Sequence, residues 1–262
     1  MDPMKIATFN INGIMARAEA LPRWLAEANP DVVCLQEIKS QDDGFPAQMF
    51  RDMGYQVETH GQKGFNGVAI LSRLPMTDVV RGLAGDPEDV QARWIEATVT
   101  GTRAVRVCGL YLPNGNPAPG PKYDYKLAWM DRMKRRVAEL LMTEQPLVFL
   151  GDYNVIPEAM DAARPEAWVT DALYLPASRE AYRRIVNLGL TDAFRVREPG
   201  PGHYSFWDYQ AGAWERNHGI RIDHLLLSPQ AADLLREARI DKAVRGGDKP
   251  SDHVPVWVTL EA

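Results

Sequence analysis

The stretch "LVFLGDYNVIPE" (147–158) decides how this chain is read. Leu147, Val148, Phe149 and Leu150 form an apolar run that drives a buried strand. Gly151 is expected to break it, and Asp152 and Asn154 follow. Side chains two apart on an extended chain point the same way, so a carboxylate and an amide oxygen face one point at the strand end. Such a pair suits a hard cation like Mg²⁺, which takes oxygen ligands and keeps several waters. An Asx turn closing the strand would use the same residues. Just upstream, "PKYDYKLAWMDRMKRRVAELLMTE" (121–144) sets Leu127, Met130, Met133, Val137, Leu140 and Leu141 on one stripe, which predicts the longest helix.

The same alternation extends in both directions. Strands are predicted at 5–10, 31–37, 55–60, 67–72, 93–100, 104–112, 146–152, 203–207, 221–228 and 254–260, and further helices at 18–29 and 177–190. Many strands with intermittent helices predict one α/β domain over 1–262, with two sheets inside and helices outside. The uneven, partly hairpin-like spacing argues against a regular βαβ barrel. Cys34 and Cys108 lie in apolar runs and read as buried hydrophobes, which fits a reducing compartment. "MDPMKIATFN" carries no secretory signal pattern, and no run approaches the roughly 18 apolar residues of a membrane span. A cytoplasmic protein without membrane contact is expected. The net charge of -5 argues against a simple basic footprint for nucleic acid, but carboxylates that hold a cation are offset by it. Basic clusters remain at 132–136, 182–184 and 195–197.

Several other strand ends carry polar groups. "VVCLQEIKS" (32–40) ends a buried strand on Gln36 and Glu37, then Lys39; Glu37 there is a candidate metal ligand or a surface glutamate. "TFNINGI" (8–14) sets Asn10 and Asn12 two apart before Gly13, suited to a turn or to the outer shell of a cation. "GLYLPNG" (109–115) brings Tyr111, a hydrogen-bond donor for a phosphate oxygen, before a Pro-Asn-Gly turn. In "GIRIDHLLLS" (219–228), alternation puts Arg221 and Asp223 on one face and Ile222 and His224 on the other. An Asp entering an apolar strand needs a partner, and "KPSDHVPVW" (249–257) offers His253 beside Asp252. An Asp paired to a His fixes the ring tautomer and favours its charged form. His60, His203, His218 and His224 have no such context and read as structural or surface.

These motifs resemble the exonuclease III family of abasic-site endonucleases, within the endonuclease/exonuclease/phosphatase superfamily. The match runs from "KIATFNING" to "SDHVPVW" through "LQEIK", "HGQKGFNGVAILSR", "GLYLPNG", "FLGDYNVIPE", "GLTDAFR", "YSFWDY" and "GIRIDHLLLS". The resemblance implies a four-layer α/β sandwich of two packed mixed β-sheets flanked by helices. It implies Mg²⁺ or Mn²⁺ bound mainly by Glu37, with Asn10, Asp152, Asn154 and Asp252 nearby. The catalytic set is then Tyr111, Asp152, Asn154, Asp223 and His253, with Asp152 or the His253–Asp223 pair as base.

The implied substrate is double-stranded DNA with an abasic site or a 3′ end, acted on by a monomer. Phe206, Ile220 and Ile222 are expected to line a pocket for a base-less sugar, which is easily flipped from the stack. Lys63, Phe65 and Asn66 in "QKGFN" (62–66), and Asn114, are expected to contact the DNA. One departure stands out: where many members read "NGLRAR", this chain has "NGIMAR", so Met15 replaces an arginine. Other readings are a superfamily phosphatase acting on a small phosphoester, and a non-catalytic DNA-binding relative.

Overall fold

The computed structural model describes residues 3–262; Met1 and Asp2 of the N-terminal stretch lie outside the described residues. In chain order the elements are β1 (Pro3–Asn10), α1 (Ala20–Ala28), β2 (Val32–Gln36), α2 (Ala47–Asp52), β3 (Gln56–His60), β4 (Val68–Ser72), β5 (Met76–Arg81), β6 (Trp94–Thr100), β7 (Ala104–Tyr111), α3 (Pro121–Leu141), β8 (Leu147–Asp152), α4 (Pro176–Val186), β9 (Thr191–Asp192), α5 (Ala193–Arg197), β10 (Asp223–Leu227), α6 (Pro229–Ala232), β11 (Leu235–Ile240) and β12 (Val256–Glu261). They build two six-stranded sheets, ordered β11-β12-β1-β2-β4-β3 and β5-β6-β7-β8-β10-β9. Both are mixed, with a parallel pair in each, β1 with β2 and β7 with β8.

Period-2 alternation along the central strands divides the core into layers. Ile6, Cys34, Val68, Val107, Val148, Leu150, Leu225 and Val258 belong to the cluster between the sheets. Ala7, Phe9, Val33, Leu35 and Leu71 face the other way, onto Leu21, Trp24 and Leu25 of α1 and Phe50 of α2. Cys108, Leu110, Leu147 and Phe149 face Trp129, Met133 and Val137 of α3 and Tyr182 and Ile185 of α4. The result is the expected four-layer sandwich.

This layering positions the site. Asn10, Gln36, Asp152 and Asp223 continue the inward-facing rows of their strands beyond the last apolar residue. Asp223 lies opposite Asp152 because β10 runs antiparallel to β8. For the same reason the start of β12 lies beside the end of β1, with Thr8 paired to Val256, which delivers His253 to the same rim. Strand ends and strand starts therefore converge at one open end of the inter-sheet layer.

Several expectations are corrected. Gly151 does not end its strand: β8 runs through it, and a Cβ there would fall 1.9 Å from the Leu110 carbonyl oxygen, so glycine permits the close approach of β7 and β8. The segment 203–207 forms only isolated bridges, Phe206 with Ile220 and with His253. The segment 219–222 lies outside β10, with Ile220 in isolated bridges, and Arg221 meets His224 at 3.0 Å, so the expected alternation around Arg221 fails. α3 ends at Leu141, and its buried face includes Tyr123, Lys126 and Trp129, whereas Leu127 and Leu141 are only half-buried. α4 starts at Pro176 and ends at Val186, short of Leu190. β5 and β11 carry too little apolar alternation to be read, since both are sheet edges with charged, exposed positions.

Candidate active site

Asn10 sits at the centre of the cluster. Its Nδ2 donates to Glu37 Oε1 and to Asp152 Oδ2, both at 2.9 Å, while its Oδ1 accepts from the Asn12 backbone at 3.1 Å. Asn10 therefore orients two carboxylates and turns its own oxygen back to the chain. Glu37 adopts a left-handed backbone, φ +50°, just past the end of β2. Its Oε2 lies 3.0 Å from Lys39 Nζ, and Lys39 also donates to Asn12. Asn12 passes the network to Asp252 Oδ1 at 3.0 Å. Burial opposes ionisation of Glu37, but the Asn10 hydrogen bond and the Lys39 charge outweigh it and hold its carboxyl below the usual range.

Asp152 is fully buried. Its Oδ1 accepts the Asn154 backbone N–H at 2.8 Å, and its Oδ2 lies 3.6 Å from His253 Nε2. Burial, aided by the Asp223 charge and opposed by His253, pushes its pKa up to about 7. His253 Nδ1 meets Asp223 Oδ2 at 2.8 Å. That oxygen also accepts from Ser205 Oγ at 2.6 Å, and Ser205 in turn accepts the Ile222 and Asp223 backbone N–H groups. Burial works against the imidazolium, but Asp223 and Asp152 outweigh it and raise His253 to about 10. Tyr111 is raised well above the ordinary phenol value by burial and by the charges of Glu37 and Asp152.

Ligand atoms of Glu37, Asp152 and His253 lie within 4.8 Å of one another. Two carboxylates crowd this point, with Lys39 beside Glu37 and the His253 ring beside Asp152, and burial still holds a proton on Asp152 up to about 7. That donor set fits a hard divalent cation, with Glu37 and Asp152 supplying the oxygens.

The cluster opens into a cavity of about 360 Å³, lined by Glu37, Tyr111, Asn114, Asn154, Phe206, Ile222, Asp252 and His253, and also by Asn116, Trp168, Asp171, Leu173 and Asp208. Asn116, Trp168, Asp171 and Leu173 had no signal in the sequence, and Asp208 lay inside the quoted "YSFWDY" without being singled out. Trp168 ends a short 3-10 turn, Pro165–Trp168, and Asp171 and Leu173 follow in irregular chain without periodicity. Some expected residues are placed elsewhere. Ile220 is buried behind the wall, packed with Ile156 and Ile222, and does not line the cavity. Asn66 points inward and spends its amide on Gln62 and Gln91, both at 3.1 Å, so it braces the loop. Lys63 and Phe65 stay exposed outside the cavity. The Asn154 oxygen is engaged by Asn114 Nδ2 at 3.2 Å. Met15 is exposed, and the nearby Arg17 is spent on Tyr209 Oη at 2.6 Å and the Pro250 carbonyl at 3.1 Å.

Fold and cluster together define a phosphoester hydrolase of the four-layer α/β class. The family model described as "Endonuclease/Exonuclease/phosphatase family" matches residues 7–253, and the chain belongs to that family. Exodeoxyribonuclease III of Haemophilus influenzae is 34% identical over 98% of this chain and 100% of that protein. An AP endonuclease from Archaeoglobus fulgidus superposes with a TM-score of 0.94 at 36% identity, covering 99% of this chain and 100% of that one. A 3′-5′ exonuclease from Neisseria meningitidis superposes with a TM-score of 0.95 at 38% identity, with the same coverage. A Neisseria structure at TM-score 0.94 and 38% identity, again with that coverage, is described as a 3′ phosphatase bound to product DNA hairpin.

Proposed function

We propose that this chain is a metal-dependent DNA repair nuclease that hydrolyses phosphodiesters at abasic sites, on the 5′ side, and processes blocked or recessed 3′ ends. The observation that carries this reading is the unbroken chain of contacts Glu37–Asn10–Asp152, with His253 between Asp152 and Asp223, at the floor of one cavity. Full-length similarity to exodeoxyribonuclease III supports it. Magnesium or manganese is the expected ion, held by Glu37 and Asp152; when bound it would polarise the phosphoryl oxygens and stabilise the leaving oxygen.

The protein's own groups divide the remaining work. Asp152, 3.6 Å from His253 Nε2 at the floor of the cavity, is the carboxylate placed to take a proton from water. His253, at about 10, is an imidazolium at neutral pH, so it donates a hydrogen bond to a phosphate oxygen and is not the base. Asp223 fixes its ring. Asn154, Asn114 and Tyr111 line the cavity and orient the phosphate, a positional and electrostatic task. Phe206, Ile222, Trp168 and Leu173 provide the apolar wall against which a sugar without its base packs. On this reading the protein acts on DNA as a monomer of one domain in the cytoplasm.

The test is a set of defined duplexes, carrying an abasic site, a 3′-phosphate or an undamaged recessed end, assayed with Mg²⁺ and with EDTA. Cleavage of at least one DNA substrate, abolished by EDTA and by Glu37→Gln, is expected. Release of phosphate from small esters with no DNA cleavage would transfer the site to the phosphatase branch.

A further inference from the structure

We propose that Lys126 is a positioning residue of this active site. Its amino group ties together the two turns that carry Asn114 and Asn154, and so fixes the amide pair that faces the substrate phosphate; this rests on the nuclease reading above. Lys126 lies on the buried face of α3 with no exposed surface. Its Nζ donates to the Asn114 carbonyl at 3.0 Å and to the Asn154 carbonyl at 2.5 Å. It forms no ion pair among the described residues. A leucine or methionine would fill this stripe position without burying a polar group, which is costly unless it is hydrogen-bonded. The two carbonyls it bonds both belong to residues that line the cavity.

The local geometry is built on this side chain. Asn154 takes a left-handed backbone, φ +46°. Its amide is locked from three sides: Nδ2 donates to Leu112 O at 2.8 Å, Oδ1 accepts from Asn114 Nδ2 at 3.2 Å, and the backbone N–H caps Asp152 at 2.8 Å. The turn at Gly115 is moulded on the lysine stem. Its φ is +89°, and a Cβ there would lie 2.7 Å from Lys126 Cδ and 3.2 Å from Ala172 Cβ. Lys126 thus braces both turns from behind and touches no substrate itself. Its effect reaches the reaction through Asn114 and Asn154.

The test uses Lys126→Met, which keeps the stem and removes the donors, with Asn154→Ala and the double variant, on the abasic and 3′-phosphate duplexes. Each is assayed well below its own measured Tm. Lys126→Met is expected to lower kcat by about 100-fold with KM little changed, as a misplacement of about 1 Å can do. In the Asn154→Ala background it is expected to cost less than it does alone, because only the branch through Asn114 is left to lose. Independent, multiplying losses in this cycle overturn the proposal. Lys126→Leu, which also removes the donors, serves if the methionine variant does not fold; a folded Lys126→Leu with wild-type kcat also overturns the proposal. A second readout needs no turnover. The side-chain amide ¹H–¹⁵N signals of Asn114 and Asn154, assigned by their loss in Asn114→Asp and Asn154→Asp, shift in the Lys126 variant. Unmoved signals refute Lys126 even if the wild type cleaves none of these duplexes, an outcome that would by itself defeat only the nuclease reading.

Discussion

His224 and His253 are both buried, yet their surroundings drive their pKa values in opposite directions. Desolvation pushes both rings toward neutrality. His224 also faces Arg221, whose Nη1 lies 3.0 Å from Nδ1. A guanidinium has no acceptor, so that nitrogen accepts and Nε2–H donates to the Val155 carbonyl at 3.0 Å. The ring is neutral, with a pKa lowered to about 4 by burial and then by Arg221. His253 faces Asp223 and Asp152 instead, and rises to about 10. The difference lies in the facing charges. Arg221 is itself held by Asp161 at 2.7 Å and Asp192 at 2.8 Å, which leaves His224 inside a closed structural network. His253 instead opens on the cavity.

The largest expected effect is His253→Gln, which replaces a charged hydrogen-bond donor by a neutral one and lowers kcat by about 10³-fold on any cleaved DNA substrate; a loss below tenfold breaks the assignment. Next, Asp223→Asn lowers kcat by about 10²-fold and moves the alkaline limb of the rate profile to lower pH, because His253 loses the charge that raises it. An unshifted limb argues that Asp223 does not set that pKa.

Stability against pH sharpens the contrast in sign. His253 has a folded pKa above its unfolded value of 6.5, so its contribution is full below 6.5 and is lost as pH rises toward 10. His224 has a folded pKa below 6.5, so the unfolded chain binds more protons and stability falls as pH drops from 6.5 toward 4. His224→Gln is expected to remove that slope, up to about 1.4 kcal/mol per pH unit, with kcat within about threefold of wild type, the small effect typical of a site outside the chemistry. Denaturant melts across pH 4–7 check it. The smallest effect is on Tm with added Mg²⁺. The ion competes with protons, so the rise in Tm is expected to grow as pH passes about 7, where Asp152 deprotonates, and to vanish in Glu37→Gln.

The central strands and most of the cavity floor were legible because one periodicity writes both. The inward apolar rows of β1, β2, β8 and β10 run on into Asn10, Gln36, Asp152 and Asp223. The edge strands β5 and β11 were not legible, since their solvated faces carry charges where apolar alternation would be. Ile222 and Ile220 are both apolar and two apart, yet only Ile222 reaches the cavity. The chain there precedes β10 and is held by isolated bridges, and no local pattern announces it. Lys126 was hidden for a similar reason: a lysine on an apolar helix face reads as exposed, and only the turns at Asn114 and Asn154, near in space and distant in sequence, explain its burial.

The most direct measurement is a ¹⁵N titration of the two imidazoles in the metal-free protein, with His224→Gln and His253→Gln for assignment. The account predicts that His253 keeps both ring protons from pH 6 to 8 while His224 stays singly protonated down to about pH 5, above its value of about 4. Two rings titrating together near the ordinary value of about 6.5 would contradict it.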